Sequence, residues 1–350
     1  MKMSKPTYRS VLIGLTGIGA ARPAKTTNVP LFGEAPRSHA AAYAEHPQTN
    51  LVAVCDIRQE SLDNFQKTWG DVWPDMRCYT DYREMFEREK PEIVSIATPD
   101  HLHAQITLDA VSSGARAILC EKPIATTLAD AERMIEAAEA NNVLLSIEHT
   151  RRWSPHFHAA RELIRSGELG ALRVVTANMY SRRSMLFRNG THSVDLLCFF
   201  AESDPEWVFA HLEEGFDDYI EYRGDGKDPA KDPAASAYVH FKNGVRAYYN
   251  SVKIDFPGSQ FELVCDNGRL EISDRGITVI RGNSYLEWAR SELVPPAYLY
   301  THHTAAIAEL INVMENGGEL VSSGAEALKT VRIMLGILQS HHQGNVRVNL

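Results

Sequence analysis

One pattern recurs through the first 147 residues: a short apolar run, a break of glycine or polar residues, then a stretch with helical spacing. The runs are Val11-Leu12-Ile13, Leu51-Val52-Ala53-Val54-Cys55, Ile93-Val94-Ser95-Ile96-Ala97, Ala117-Ile118-Leu119-Cys120 and Val143-Leu144-Leu145-Ser146-Ile147. Uninterrupted apolar strands are buried on both faces, which requires a parallel sheet with helices on either side. Strands and helices in strict alternation therefore predict a doubly wound α/β domain over residues 1–147. Ligands of such sheets bind beyond the carboxyl ends of the strands, so the breaks hold the candidate site residues.

The first break is Gly14-Leu15-Thr16-Gly17-Ile18-Gly19, where glycines allow a tight turn and close approach to a pyrophosphate. It is an imperfect Gly-x-Gly-x-x-Gly: Thr16 stands at the second position and Gly17 is out of phase. Three prolines between Ala20 and Pro36 delay the helix expected next, so this segment is taken as an inserted loop. It is either a surface insertion or a cover in which Arg22 or Lys25 reaches the cofactor phosphates or rims the substrate pocket. The second run ends in Asp56, placed to accept ribose hydroxyls and to repel a 2'-phosphate, which favours NAD. Arg58 could pair with such a phosphate and keeps NADP open; Asp56 could instead cap the helix from Glu60. The third run stops at Thr98-Pro99-Asp100-His101-Leu102-His103. His101-x-His103 resembles a metal pair, but no thiolate or carboxylate spacing supports it, and no metal site is expected. The fourth ends in Glu121-Lys122-Pro123. An ammonium there can hold a substrate hydroxyl and share in moving its proton while hydride leaves the carbon.

Composition narrows the partners. A net charge of -9 without a basic cluster argues against nucleic acid. No apolar stretch approaches a membrane span or a signal h-region, and five widely spaced cysteines suit a reducing cytoplasm. The expected partner is a small molecule.

After His149 the pattern changes. A helix over 157–166 is followed by runs that alternate apolar and polar residues, with hairpin signals at Asn243-Gly244 and Asn267-Gly268. Residues 148–350 are thus expected to form an α+β domain with an open, mostly antiparallel sheet. Tyr238, Tyr248 and Tyr249 are expected to leave positions for a partner sheet. Thr191–Phe200 reads as a helix with His192 near its start, where the helix dipole lowers a histidine's pKa and suits it to accept a proton. Asp195, a turn later, orients the imidazole, bonds the substrate or caps a turn. Arg151, Arg152, Arg182, Arg183 and Arg188 fall in segments expected to line the cleft, where they either bind an anion or are solvated. His302-His303 and His341-His342 are expected at the surface or at helix ends.

The ordered set of Gly14 to Gly19, Asp56, Ala97 to His103, Glu121-Lys122-Pro123, Arg151-Arg152-Trp153 and Asn189 to Asp195 resembles the Gfo/Idh/MocA oxidoreductases over nearly the whole chain. The resemblance implies a Rossmann domain followed by a substrate and oligomerisation domain. It implies oxidation of a secondary hydroxyl of a sugar, inositol or sugar-acid-like compound by NAD or NADP, and a homodimer or homotetramer formed through the second sheet. By resemblance Lys122 and His192 are catalytic. Gly14, Thr16, Gly17, Ile18, Gly19, Asp56, Ile57, Thr98, Pro99, His103, Glu121 and Lys122 contact the cofactor. Arg152, Arg188, Asp195, Lys122 and His192 contact the substrate. Arg188 replaces an aspartate that many relatives carry four residues before the histidine. Two alternatives use the same parts: a glycosidase working by transient sugar oxidation and elimination, and a cofactor-binding sensor without turnover.

Overall fold

The computed structural model describes residues 7–23, 38–224, 226–273, 275–284 and 286–350. The five apolar runs form β1 (Tyr8–Ile13), β2 (Thr49–Cys55), β4 (Ile93–Ile96), β5 (Ala117–Cys120) and β6 (Leu144–Ile147), and a sixth strand, β3 (Arg77–Tyr79), joins them. They pair in parallel in the order β3-β2-β1-β4-β5-β6. Strand order reverses between β1 and β4, and this switch point opens a crevice at the strands' carboxyl ends. Polar β3 is the strand that hydrophobic patterning does not announce.

Helices α1 (His39–Glu45), α2 (Gln59–Trp69), α3 (Tyr82–Glu89), α4 (His103–Ser112) and α5 (Leu128–Ala140) connect the strands. The Ser38 hydroxyl caps α1 by accepting from the Ala41 amide, and Thr127 caps α5 through the Asp130 amide. Alternate strand residues feed two cores. Leu12, Val54 and Leu119 pack with α1 and α2, whereas Val11, Ile13, Ile96 and Ile118 pack with α4 and α5.

The second half contributes α6 (Pro155–Arg165), β7 (Leu172–Tyr180), α7 (Thr191–Ala201), β8 (Pro205–Leu212), β9 (Ala235–Phe241), β10 (Arg246–Val252), β11 (Gly258–Cys265), β12 (Gly268–Ser273), β13 (Gly276–Ser284) and β14 (Glu287–Leu293). Two helices, α8 (His302–Asn316) and α9 (Gly324–His342), and a short β15 (Val348–Asn349) close the chain. The nine strands run in the order β14-β13-β12-β11-β7-β10-β9-β8-β15, antiparallel except for the parallel pair β7 and β10. Both hairpin signals fall at turns, between β9 and β10 and between β11 and β12. One face packs on α6, α7 and α9. The other carries Trp207, Tyr238 and Tyr248 as successive aromatic contacts, with centroids 5.0 and 5.2 Å apart. Tyr249 departs from expectation. It is fully buried on the helix-covered face, because neighbouring strand residues point to opposite sides.

Helix α8 does not stay with the second sheet. Its Ala306, Ile307, Leu310 and Ile311 join Leu12 and Leu51 in the core beside α1, so the chain's end returns to the first sheet.

Candidate active site

A cleft of about 630 Å³ opens where β1, β4, β5 and β6 end, and α7 forms its opposite wall. Thr16, Gly17, Ile18, Thr98, Pro99, Glu121, Lys122, Arg188 and His192 line it, so the structure gathers these nine candidates at one surface.

The glycine turn is built for close approach. Gly14 has φ +91°, and a Cβ there would lie 2.4 Å from the Ala97 carbonyl oxygen; one at Gly19 would lie 2.0 Å from the Gly14 oxygen. Gly17 has φ +51° and open space where a side chain would begin. The Asp56 carboxylate braces this turn by accepting from the Leu15 amide at 3.0 Å and the Arg58 amide at 3.0 Å. Next to it Ile57 is 86% exposed and is not among the residues that line the cleft. Bare backbone at the switch point and a carboxylate at the tip of β2 fit a dinucleotide.

Lys122 emerges from β5, followed by a cis peptide to Pro123. Its Nζ donates to the Arg188 carbonyl at 2.8 Å, across from the first sheet to the segment entering α7. Burial lowers the ammonium's pKa and the adjoining Glu121 partly restores it. Glu121 is held well below the usual carboxylate range: burial opposes ionisation, but contacts with His303 and His39 and the Lys122 charge outweigh it.

His192 occupies the first turn of α7, as its position in the sequence predicts. The preceding residues Leu186–Gly190 form one wide turn held by Asp232, which accepts from the Phe187 amide at 3.1 Å and the Arg188 amide at 2.9 Å. Burial pushes Asp232 up to about 6 despite these bonds. Gly190 has no room for a side chain, since a Cβ would meet the Tyr249 hydroxyl at 2.3 Å. Burial, and then the nearby Lys122 and Arg151 charges, hold the His192 imidazole well below its ordinary value and so favour its neutral form.

Several candidates lie elsewhere. Arg152 and Asp195 do not face the cleft. Both are fully buried, and Nε of Arg152 bridges the two Asp195 oxygens at 3.0 and 2.9 Å. His103 is buried too, its nitrogens 2.9 Å from the Pro123 oxygen and 3.1 Å from the Thr98 oxygen, where it ties two cleft loops together. Arg151 donates to Ser193 at 3.1 Å and Arg182 pairs with Asp255 at 2.5 Å, so of the five arginines only Arg183 and Arg188 line the cleft. Arg22 pairs with Asp71 at 2.8 Å, away from the cleft; Lys25 lies outside the described residues. His303 stands at a helix end, one of its two expected places, in the first turn of α8, but there it is buried in the cleft wall rather than at the surface. Asp100 and Asn189, from two of the motif segments, also line the cleft, together with Glu148, Thr150 and Lys227, which were not expected there. Burial pushes Glu148 up to about 7. These residues come from separate loops, and no local spacing links them.

Two models of one family match this chain in tandem: "Oxidoreductase family, NAD-binding Rossmann fold" over residues 32–149 and "GFO/IDH/MocA C-terminal domain" over 157–271. The chain belongs to the Gfo/Idh/MocA oxidoreductase family. The first match begins downstream of the glycine turn, whose assignment therefore rests on its geometry. The chain is 26% identical over 335 residues to a D-apiose dehydrogenase from Paraburkholderia graminis, covering 88% of this chain and 85% of that one. It is 31% identical over 150 residues to the D-glucoside 3-dehydrogenase of Escherichia coli, spanning 41% of that protein's length. The WlbA dehydrogenase of Bordetella pertussis, solved with NADH and UDP-GlcNAcA, shares the fold at a TM-score of 0.77 and 19% identity over 99% of both chains. Gfo/Idh/MocA membership makes this chain an NAD-binding oxidoreductase, and the glycine turn and crevice fit that cofactor.

Proposed function

We propose that this protein transfers hydride between a secondary hydroxyl of a sugar, inositol or sugar-acid-like compound and nicotinamide, with Lys122 and His192 carrying the proton chemistry. The observation behind this assignment is that an ammonium from β5 and a neutral imidazole from α7 face one cleft below the glycine turn. A nicotinamide held by the glycine turn and the crevice would supply the hydride acceptor or donor. His192 takes the hydroxyl proton, and Lys122, held in place by the Arg188 carbonyl, donates a hydrogen bond to the developing alkoxide. The same bond couples the two walls, because Arg188 lies four residues before His192.

Residues 1–147 supply the cofactor side and 148–350 most of the substrate side. Arg183, Arg188 and Lys227 bring positive charge to the cleft, and neither arginine has a carboxylate partner among the described residues. A substrate bearing a carboxylate suits them. The exposed aromatic face around Tyr238 and Tyr248 suits pairing with a second copy. No helix among the described residues is long and apolar enough to cross a membrane, and all five cysteines are free, which supports a cytoplasmic location.

Nicotinamide absorbance, followed with NAD or NADP and a panel of sugars, sugar acids, inositols and their glycosides, tests the proposal. Lys122→Ala and His192→Ala should each lower kcat by roughly 10²–10⁴-fold with cofactor affinity kept. Near wild-type turnover in both variants would refute the proton-transfer roles.

A further inference from the structure

Hydride transfer leaves one part of the cleft wall without a role. His39 of α1, Glu121 at the tip of β5, Glu148 beyond β6 and His303 of α8 come from four distant stretches of chain and meet in the interior. His39 Nε2 lies 3.3 Å from Glu121 Oε1. His303 Nε2 lies 3.9 Å from that same oxygen and 3.9 Å from Glu148 Oε1. One donor atom each from His39, Glu121 and His303 fall within 4.8 Å of one another. Donors around tetrahedral zinc, bonded at ~2.0–2.1 Å, stand about 3.4 Å apart. The contacts at 3.9 Å are too long for hydrogen bonds yet close to that spacing.

A second observation points the same way. Among the described residues, neither ring nitrogen of His303 and neither carboxylate oxygen of Glu148 has a partner within hydrogen-bond distance, although both residues are more than nine-tenths buried. Polar groups buried this deeply normally have partners. A cation placed between these groups would satisfy an imidazole and offset two carboxylates at once. The ring of His39 is also held in the required direction: its Nδ1 contacts Ser95 Oγ at 3.1 Å, and Ser95 contacts the Tyr43 hydroxyl at 2.8 Å, leaving Nε2 toward the gap. Outer contacts of this kind orient ligating histidines.

We propose that His39, Glu121 and His303 bind one divalent transition-metal ion of the zinc type in the inner wall of the cleft, with the fourth position open toward Glu148. Two imidazoles and a carboxylate suit zinc or cobalt better than magnesium or calcium, which prefer all-oxygen shells. In the open position a bound water donates to Glu148, or a substrate oxygen is polarised beside Lys122. No local spacing announces this cluster, because its three ligands stand 82 and 182 residues apart (39 to 121, 121 to 303).

The test uses the full-length protein, freed of metal by a chelator and titrated separately with zinc and cobalt chloride without cofactor. Metal per chain is measured by elemental mass spectrometry, and the cobalt form by its visible d–d absorption. The expected result is one ion per chain with a dissociation constant below about 1 µM and a cobalt spectrum of a four-coordinate site. His303→Ala and Glu121→Gln should weaken binding by roughly 100-fold or more, whereas His342→Ala, at the exposed end of α9, should leave it unchanged. His303→Asn provides a second variant of similar polarity, and circular dichroism verifies that each variant is folded. Folded wild-type protein that takes up no stoichiometric ion would overturn the proposal, as would folded His303 and Glu121 variants that bind it unchanged. Turnover is measured apart from metal content, so an active metal-free enzyme sinks only the metal site, and a metal-bound chain without hydride transfer sinks only the dehydrogenase assignment.

Discussion

Replacing Arg152 should damage the fold rather than the recognition of substrate. Its side chain is 1% exposed and surrounded by acceptors. Nε meets both oxygens of Asp195, and Nη1 donates to the Val321 carbonyl at 2.6 Å and to Glu326 at 3.2 Å. Those partners join the loop after β6 to α7 and to the start of α9. Arg152→Met removes the cation and leaves the Asp195 carboxylate fully buried beside His149 at 3.2 Å and the Thr330 hydroxyl at 3.2 Å. Breaking one side of a buried pair costs ~3–5 kcal/mol. For a chain of 350 residues that is a fall in Tm of roughly 4–7 °C. The double variant Arg152→Met with Asp195→Leu should recover a large part of the loss, since no unpaired charge stays inside. Thermal and urea unfolding of the two single variants and the double variant supply the cycle, and steady-state kinetics on the folded material supply KM. An Arg152→Met protein that unfolds within about 1 kcal/mol of wild type while its KM rises roughly tenfold would refute this account and return Arg152 to the substrate site.

Gly14→Ala should abolish cofactor binding or folding, because its Cβ would overlap the Ala97 carbonyl, whereas Gly17→Ala meets no neighbour and should cost only the ~1–2 kcal/mol of a left-handed backbone; cofactor titration by fluorescence separates the two. His192 acts as a base only when neutral and its folded pKa lies below the ordinary value of ~6.5, so the acid limb of kcat/KM should fall below that pH. An acid limb at or above it would show that the imidazole is not depressed. Arg188→Ala keeps the backbone carbonyl that holds Lys122, so it should raise KM for sugar acids more than for neutral sugars, with kcat changed less; equal effects on both substrate types would argue against an anion contact.

The parallel sheet could be read from the chain because its strands are continuous apolar runs, and the glycine turn and Lys122 could be read because they stand where such strands end. His192 was legible from its place at the start of a helix whose apolar face is plain in Val194, Leu197 and Cys198. Polar β3 and the exposed edge strand β14 were not, since neither buries an alternating face. Local sequence also failed wherever an arginine or histidine had its partner far along the chain. Arg152 looks like a cleft cation until Asp195 and Val321 fold around it, and His303 looks like an exposed helix-end residue until α8 crosses back to the first sheet and buries its first turn. Charge type is visible in a sequence, but whether a charge is satisfied depends on residues more than 40 positions away.

The return of α8 also governs when the first domain can close during synthesis. Ala306, Ile307, Leu310 and Ile311 cover the face of the sheet that holds Leu12, Leu51 and Leu119. When β6 leaves the ribosome, that face still lacks one of its covering helices. At ~5–20 residues per second the missing helix follows roughly ten to thirty seconds later. During that interval the nascent chain presents an apolar sheet surface, so its yield in the cell should depend on chaperones that hold such surfaces, and a stop codon placed before residue 302 should give an aggregating fragment rather than an independent nucleotide-binding domain.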